Sequence, residues 1–371
     1  MTHDAPTLTR TDPATRIGTV RIVGSGLLGG SIGLALAGRG VDVALSDPLA
    51  SHLQLAVDYG AGREERDGDA PVLIVVATPP DTVADVVAAE LSRFPHAVVT
   101  DVASVKVAPL VGLRAHGADL RRYVGSHPMA GRERGGPLSA RGDLFVGRPW
   151  IVCRTAETSE EAVRLVEQVA RMLEAQLIEM DAEEHDRAVA LVSHLPQVVS
   201  SVLAGRLRSA PDAFVALAGQ GIRDTVRIAT GDPSLWSQIL GANAEAVGRE
   251  LEGVLDDLEW MRHSLSQAHT LDGLHGIADA ITDGNEGVAR LPGKHGQDRR
   301  YASIVVLVDD RPGELARLLT ELGEIGVNLE DLRLEHSPGA QIGLAEITVV
   351  PDVKERTVDD LADRGWRIAG E

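Results

Sequence analysis

Cysteine is all but missing from this 371-residue chain, and the single Cys153 excludes an internal disulfide framework and any cysteine-based zinc site. No metal is expected. Aromatic residues are scarce too, at 3% against 44% hydrophobic residues overall, so Ala, Val, Leu and Ile must carry the core. Positive charge is in deficit. The 36 Lys and Arg against 55 Asp and Glu leave a formal net charge of −19. Such a surface repels phosphate backbones and anionic lipid heads, so neither nucleic acid nor a membrane surface is an expected partner. Long hydrophobic runs are also lacking. Val72–Thr78 and Ile304–Val308 are the longest, strand-sized and well short of the ~18 residues of a membrane span. The first sixteen residues hold no apolar stretch of the secretory kind, which points to a cytoplasmic protein.

What is present is alternation. Short β-branched runs at Thr19–Gly24, Asp42–Asp47, Val72–Thr78, Ala97–Val102, Arg122–Ser126 and Pro149–Arg154 read as strands. Between them lie helical patterns such as Leu27–Ala37 and Thr82–Leu91, and Ser159 heads an amphipathic helix. Several of the strands are apolar on both faces, as in a parallel sheet covered by helices on each side. Residues 16–180 therefore read as a doubly wound α/β domain of the Rossmann type. After Met180 the strand signal stops, and residues 181–283 read as an all-helical domain. Glu183–Leu207 has helical spacing interrupted by Pro196, which should kink it or open its hydrogen bonding. A second long helix is expected from Ser234 to His269. Both are apolar on more than one face, so a homodimer formed through this domain is expected. Residues 284–298, rich in Gly and charge, read as a linker. Residues 299–371 show the order β-α-β-β-α-β, with Trp366–Ala369 as the last strand, the order of a small ferredoxin-like module.

Some of these segments carry chemistry. Gly24-Ser25-Gly26-Leu27-Leu28-Gly29 is a GxGxxG turn between a strand and a helix: glycines for the tight turn, for approach of a pyrophosphate and for close helix packing. Asp47 ends the next strand, where a carboxylate binds the adenosine ribose diol and repels a 2′-phosphate, favouring NAD over NADP. Ser104 and Lys106 follow one strand at its carboxyl end, and His127 follows another, the edge at which doubly wound sheets bind ligands. His194 stands mid-helix beside the Pro196 break. Arg223 and Arg227, four apart, share a helix face.

Taken together, GSGLLGGS (25 lies at its first Ser), ATPP at 77–80, DVASVK at 101–106, GSHPMAG at 125–131, EEHDRAVALVSHLPQ at 183–197, GIRDTVRIATGDPSLW at 221–236 and Asn243 resemble the prephenate dehydrogenase family over about Arg21 to Ala268. The resemblance implies a Rossmann domain, a helical dimerisation domain, and NAD-dependent oxidative decarboxylation of prephenate to 4-hydroxyphenylpyruvate in L-tyrosine biosynthesis. It implies His127 as the base that takes the 4-hydroxyl proton, with Ser104 hydrogen-bonded nearby, His194 positioning the substrate and Arg227 pairing with a carboxylate. Gln197 and Lys106 join the substrate-binding set, and Ser25, Leu27, Leu28 and Thr78 join the glycines and Asp47 in binding the cofactor. The chain departs from the family pattern at Arg132, at Gln197, where a second His is frequent, and at Gln220. Arogenate, with an amino group for the keto group, is the alternative substrate; the neutral Gln197 one turn from His194 favours prephenate. A non-catalytic NAD or amino-acid sensor is the alternative of another class, and needs none of Ser104, His127, His194 and Arg227. The tail resembles an ACT domain through Ile304–Val308, Asp309-Asp310-Arg311-Pro312-Gly313 and Asn328, which implies an amino-acid effector, L-tyrosine first, held by Asp310, Pro312, Gly313 and Asn328.

Overall fold

A computed structural model describes residues 17–131, 135–291, 301–336 and 342–369. Arg132 and the end of the expected linker, 292–298, lie outside the described residues. The chain divides into two compact units, one running up to Ser209 and including Val226–Val254, the other holding Ala210–Thr225 and everything after Leu255. The segment read as one helical domain is thus shared between them.

The first unit is built on eight strands: β1 Val20–Val23, β2 Val43–Ser46, β3 Arg63–Glu64, β4 Leu73–Val76, β5 Val98–Asp101, β6 Tyr123–Pro128, β7 Pro149–Cys153 and β8 Gln176–Glu179. They lie in the order β3-β2-β1-β4-β5-β6-β7-β8. β1 pairs in parallel with both β2 and β4, so the chain reverses its direction of winding beside β1. That switch point opens a crevice at the carboxyl ends of the strands. β1 and β4 are buried along their full length, as apolar VRIV and LIVV segments between two helical layers must be. Arg21 is the polar exception, and its guanidinium is paired with Glu90 and Glu65.

Two strands were not legible. β3 has two residues, and β8 is a mostly exposed edge strand whose QLIE shows no alternation. The sheet is also not wholly parallel: β7 runs antiparallel to β6. Residues 129–148 contain no crossover helix, among those described only the short turn Pro137–Ser139, and without a crossover the chain returns in the opposite direction.

Three corrections concern the helices. The expected helix from Ser234 to His269 is two, Pro233–Ala242 and Ala244–Ser266, because Asn243 leaves helical geometry to make buried hydrogen bonds. Residues 284–289 are not linker but the end of helix Leu271–Ala289; Gly284 and Gly287 have open space around them and serve no turn, so they only weaken the helix. Ala182–Leu207 is long and apolar enough, by length and composition, to cross a membrane, which a count of unbroken apolar runs overlooked. Its first part, Ala182–Val189, gives way to a π turn at Ala190–His194 before Leu195–Leu207 resumes, one wide turn just ahead of Pro196.

In the second unit β9 Ala302–Asp309, β10 Asp331–His336, β11 Ile342–Val349 and β12 Arg367–Ala369 form an antiparallel sheet in the order β10-β11-β9-β12. Helices Glu314–Glu324 and Lys354–Asp363 bury Leu318, Leu322 and Leu361 with Val306, Ile347 and Trp366 of the sheet side. The element order is the one the sequence suggests, although β10 begins at Asp331 rather than Val327.

Close packing of helix Leu27–Ala37 on the segment leading into β3 depends on glycine. A Cβ at Gly33 would overlap the carbonyl oxygen of Ala61, whereas one at Gly26 would meet nothing within 4 Å. Gly33→Ala is expected to cost about 1–3 kcal/mol, the usual penalty for overpacking, and Gly26→Ala much less; urea unfolding of both variants checks this, and equal losses would contradict it.

Candidate active site

The glycine turn lies at the carboxyl end of β1, beside the switch point. Gly24 sits at φ +96°, and a Cβ there would stand 2.5 Å from the carbonyl oxygen of Ala77, so the position requires glycine. A Cβ at Gly29 would overlap the carbonyl oxygen of Gly24, so the helix can start against the strand only through glycine. Gly26 caps the helix without a side-chain acceptor, which leaves N–H groups of the first turn pointing outward. Asp47 closes the loop: its Oδ2 accepts from the N–H of Ser25 at 2.7 Å and from Ser25 Oγ at 2.9 Å, and its Oδ1 accepts from the N–H of Leu49 at 2.9 Å. Thr78 follows β4, and its hydroxyl is buried with no hydrogen-bond partner among the described residues. An orphaned buried hydroxyl beside an open, glycine-lined helix start fits a dinucleotide, which supplies the missing partner and fills the space over Gly26.

A second constellation sits at the carboxyl end of β6. His127 Nδ1 and His185 Nε2 are 2.9 Å apart, and His185 Nδ1 lies 2.7 Å from Asp186 Oδ1. Asp186 also accepts from the N–H groups of Lys106 and Val107 at 2.8 and 2.9 Å. These partners fix where the protons are. Backbone N–H groups only donate, so Asp186 is an acceptor, and His185 must carry its proton on Nδ1. Burial disfavours the charged form of His185 and holds its pKa below the ordinary value, so its Nε2 is bare. His127 therefore donates from Nδ1, and its Nε2, which makes no hydrogen bond among the described residues, keeps a free lone pair. Burial, with smaller contributions from His185, Lys106 and His194, holds His127 well below the usual histidine range, so it is neutral at pH 7. The result is a neutral histidine with one defined acceptor nitrogen.

His194 ends the π turn and is buried. Its Nδ1 is 3.1 Å from Asn243 Nδ2, and its ring meets the edge of Trp236 at 6.1 Å between centroids. Gln197 is buried one turn later and donates to Ser201 Oγ at 3.2 Å. Arg227 is exposed on the 3-10 turn Arg227–Thr230, which packs against helix Leu195–Leu207. Ser104 is half-buried and makes no hydrogen bond among the described residues, where the partner of His127 is His185. Lys106, expected among the substrate ligands, is 1% exposed, and its ammonium is paired with Asp101, whose other oxygen accepts from Tyr123 at 2.7 Å. His185 and Asp186 were the residues missed; EEHD was visible, but only the fold turns its His and Asp toward His127.

In the second unit Asp310 belongs to an open cavity of about 920 Å³ with Asp309, Arg311, Glu314, Trp366 and Arg367. Gly313, at φ +95°, caps helix Glu314–Glu324 behind exposed Pro312. Asn328 is outside that lining, its amide donating to Glu330 at 3.0 Å.

A glycine turn fit for a dinucleotide and a buried neutral histidine, both on the carboxyl edge of one sheet, are the features of a nucleotide-dependent oxidoreductase. Residues 32–179 match the nucleotide-binding domain of prephenate dehydrogenase, and residues 181–277 match its dimerization domain. The probable prephenate dehydrogenase NovF of Streptomyces niveus is 36% identical over 356 residues, covering 94% of this chain and 98% of that protein. The prephenate dehydrogenase of Bacillus subtilis (strain 168) is 25% identical over 329 residues, covering 85% and 88%. The crystal structure of prephenate dehydrogenase from A. aeolicus in complex with hydroxyphenyl propionate and NAD+ gives a TM-score of 0.66 at 26% identity, covering 73% of this chain and 98% of that one. Synechocystis arogenate dehydrogenase gives 0.60 at 26% identity, covering 72% and 99%. The chain belongs to the prephenate dehydrogenase family.

Three buried neutral histidines make stability depend on pH. His194 is pushed down to about 4 by burial, and His127 and His185 are lowered for the same reason. The unfolded chain takes up protons on all three near pH ~6.5, while the folded chain does not until lower pH. Stability from this source is complete above pH ~6.5 and is lost as the pH falls toward 4. Urea midpoints of the protein and of His194→Gln at pH 7.5 and pH 5 test this: the variant is expected to lose less on acidification, and an equal loss would contradict the assignment.

Proposed function

We propose that the protein is an NAD-dependent prephenate dehydrogenase, forming 4-hydroxyphenylpyruvate and CO₂ in L-tyrosine biosynthesis in the cytoplasm. The observation that carries the proposal is the free lone pair of His127 Nε2, held in one tautomer by His185 and Asp186 at the edge of a dinucleotide-binding sheet. Gly24 to Gly29, Asp47 and Thr78 would hold the cofactor, and the Asp47 carboxylate would exclude a 2′-phosphate. When bound, NAD+ accepts the hydride from the ring carbon that bears the hydroxyl. His127 Nε2 takes the hydroxyl proton, which lets that carbon become a carbonyl and then part of an aromatic ring as the carboxylate leaves. Ser104, whose hydroxyl is uncommitted among the described residues, can bond the same substrate oxygen. His194 and Gln197 line the helical side, and Arg227 supplies the cation for a carboxylate of a dianionic substrate. Arogenate is the second reading, supported by the likeness to an arogenate dehydrogenase; the neutral Gln197 favours prephenate.

Two finer features belong to the same proposal. The protein works as a homodimer through residues 181–283: exposed Leu191, Val192, Val202, Leu258, Leu271 and Ile281 need a covering partner, and residues 181–277 match a dimerization domain. Residues 299–371 act as an ACT-type regulatory module, with an amino acid, L-tyrosine first, bound beside Asp310–Gly313. The open cavity there and the left-handed glycine ahead of the helix support it. Asn328, turned to Glu330, is outside this set. Deleting residues 299–371 is expected to keep turnover and abolish tyrosine sensitivity that is not competitive; identical responses of the full and shortened chains would leave the module without that role.

The catalytic reading is tested by following NADH absorbance with prephenate and with arogenate. Turnover of prephenate is expected, and His127→Asn should lower kcat by about 10²–10⁴, what positioned proton transfer supplies, with NAD+ affinity unchanged. A loss below roughly tenfold would remove the base role.

A further inference from the structure

Asn243 is a polar residue 6% exposed, placed where the two helices Pro233–Ala242 and Ala244–Ser266 part, and neither the cofactor cradle nor the base accounts for it. Its Nδ2 lies 2.7 Å from the backbone carbonyl oxygen of Asp186 and 3.1 Å from His194 Nδ1. A carbonyl oxygen only accepts, so the side-chain atom facing it is the amide nitrogen, not the amide oxygen. That nitrogen has two protons, and the second is directed at His194 Nδ1, which must be the bare nitrogen. A neutral histidine with a bare Nδ1 carries its proton on Nε2.

We propose that Asn243 is a positioning residue that holds His194 as a neutral Nε2–H donor, so that the site offers a substrate one donor from His194 and one acceptor from His127. The same amide bonds the carbonyl of Asp186, the residue that fixes the tautomer of His127 through His185. One side chain thus ties the two histidines into opposite states. An Nε2–H donor suits an oxygen that only accepts, a carboxylate or keto oxygen; a bare Nε2 there would repel it. The inference rests on the catalytic reading for its kinetic consequence, while the protonation pattern itself does not.

The titratable and charged groups around His194 are Asp186 and His185 on helix Ala182–Val189, His127 on β6, and, behind His185, Lys106 paired with Asp101. None of these is on the two helices that flank Asn243. Asn243→Asp keeps the shape, removes both donated protons and places an acceptor against Nδ1. His194 should then hold its proton on Nδ1, and its pKa should rise. At low pH the ring is a cation and still donates from Nε2; above the new pKa Nε2 is bare and the donor is lost.

The test has two arms. Nitrogen-15 spectra of the histidine rings in the unmodified full-length protein, without substrate, are expected to show His194 protonated on Nε2 and His127 protonated on Nδ1. His194 protonated on Nδ1 would overturn the inference outright. In the kinetic arm, KM of Asn243→Asp is expected to rise with pH past the raised pKa of His194, about tenfold or more for the loss of a hydrogen bond to a charged group, while KM of the unmodified enzyme stays flat there. Asn243→Ala, which adds no acceptor, should show no such dependence. If Asn243→Asp folds and its KM–pH profile matches the unmodified enzyme, the inference fails. If the unmodified enzyme turns over neither prephenate nor arogenate, the catalytic reading fails, and the spectra still decide the protonation pattern.

Discussion

Asp186 accepts from the backbone N–H groups of Lys106 and Val107, accepts from His185 Nδ1, and gives its own carbonyl to Asn243. It is nearly buried, and a buried carboxylate is tolerable only when its lone pairs are filled. The partners come from different parts of the chain: the turn after β5 and the residue beside Asp186 fill the carboxylate, and the break between two distant helices supplies the donor to its backbone carbonyl. Removing the carboxylate would leave two backbone donors unpaired and the histidine chain without its anchor. The position of His127 in space and the proton on its ring therefore come from the same contacts.

The buried Lys106–Asp101 pair serves the same end by another route. Such pairs contribute little net stability, because desolvation offsets the attraction. Their effect here is geometric. Asp101 receives Lys106, Tyr123 and the N–H of Ala103, and so fixes the turn that presents Ser104 and the two N–H groups bound by Asp186. The Lys106 ammonium is thereby part of the frame.

The Rossmann-type sheet was legible because its central strands must be apolar on both faces, and its turn because glycine at positions 24 and 29 has no substitute. The edge strand β8 was not, since QLIE has neither alternation nor burial to reveal it. His127 and His194 stood out by their motifs, yet their protonation states were hidden. Those depend on His185 and Asn243, which lie 58 and 49 residues away along the chain and meet them only on folding. The helix break at Asn243 was unreadable for the same reason: a buried hydrogen bond to a residue 57 positions earlier outweighs local helical pattern. Residues 284–289 show the reverse, a helix retained in spite of two glycines.

The central claim is that His127 and His194 face the substrate as acceptor and donor, and the most direct measurement is a crystal structure of the protein with NAD+ and 4-hydroxyphenylpyruvate. The phenol oxygen is expected within about 2.6–3.2 Å of His127 Nε2, with an acceptor oxygen of the product on His194 Nε2. A phenol oxygen bound elsewhere, with His127 Nε2 left in contact only with protein or solvent, would contradict the account.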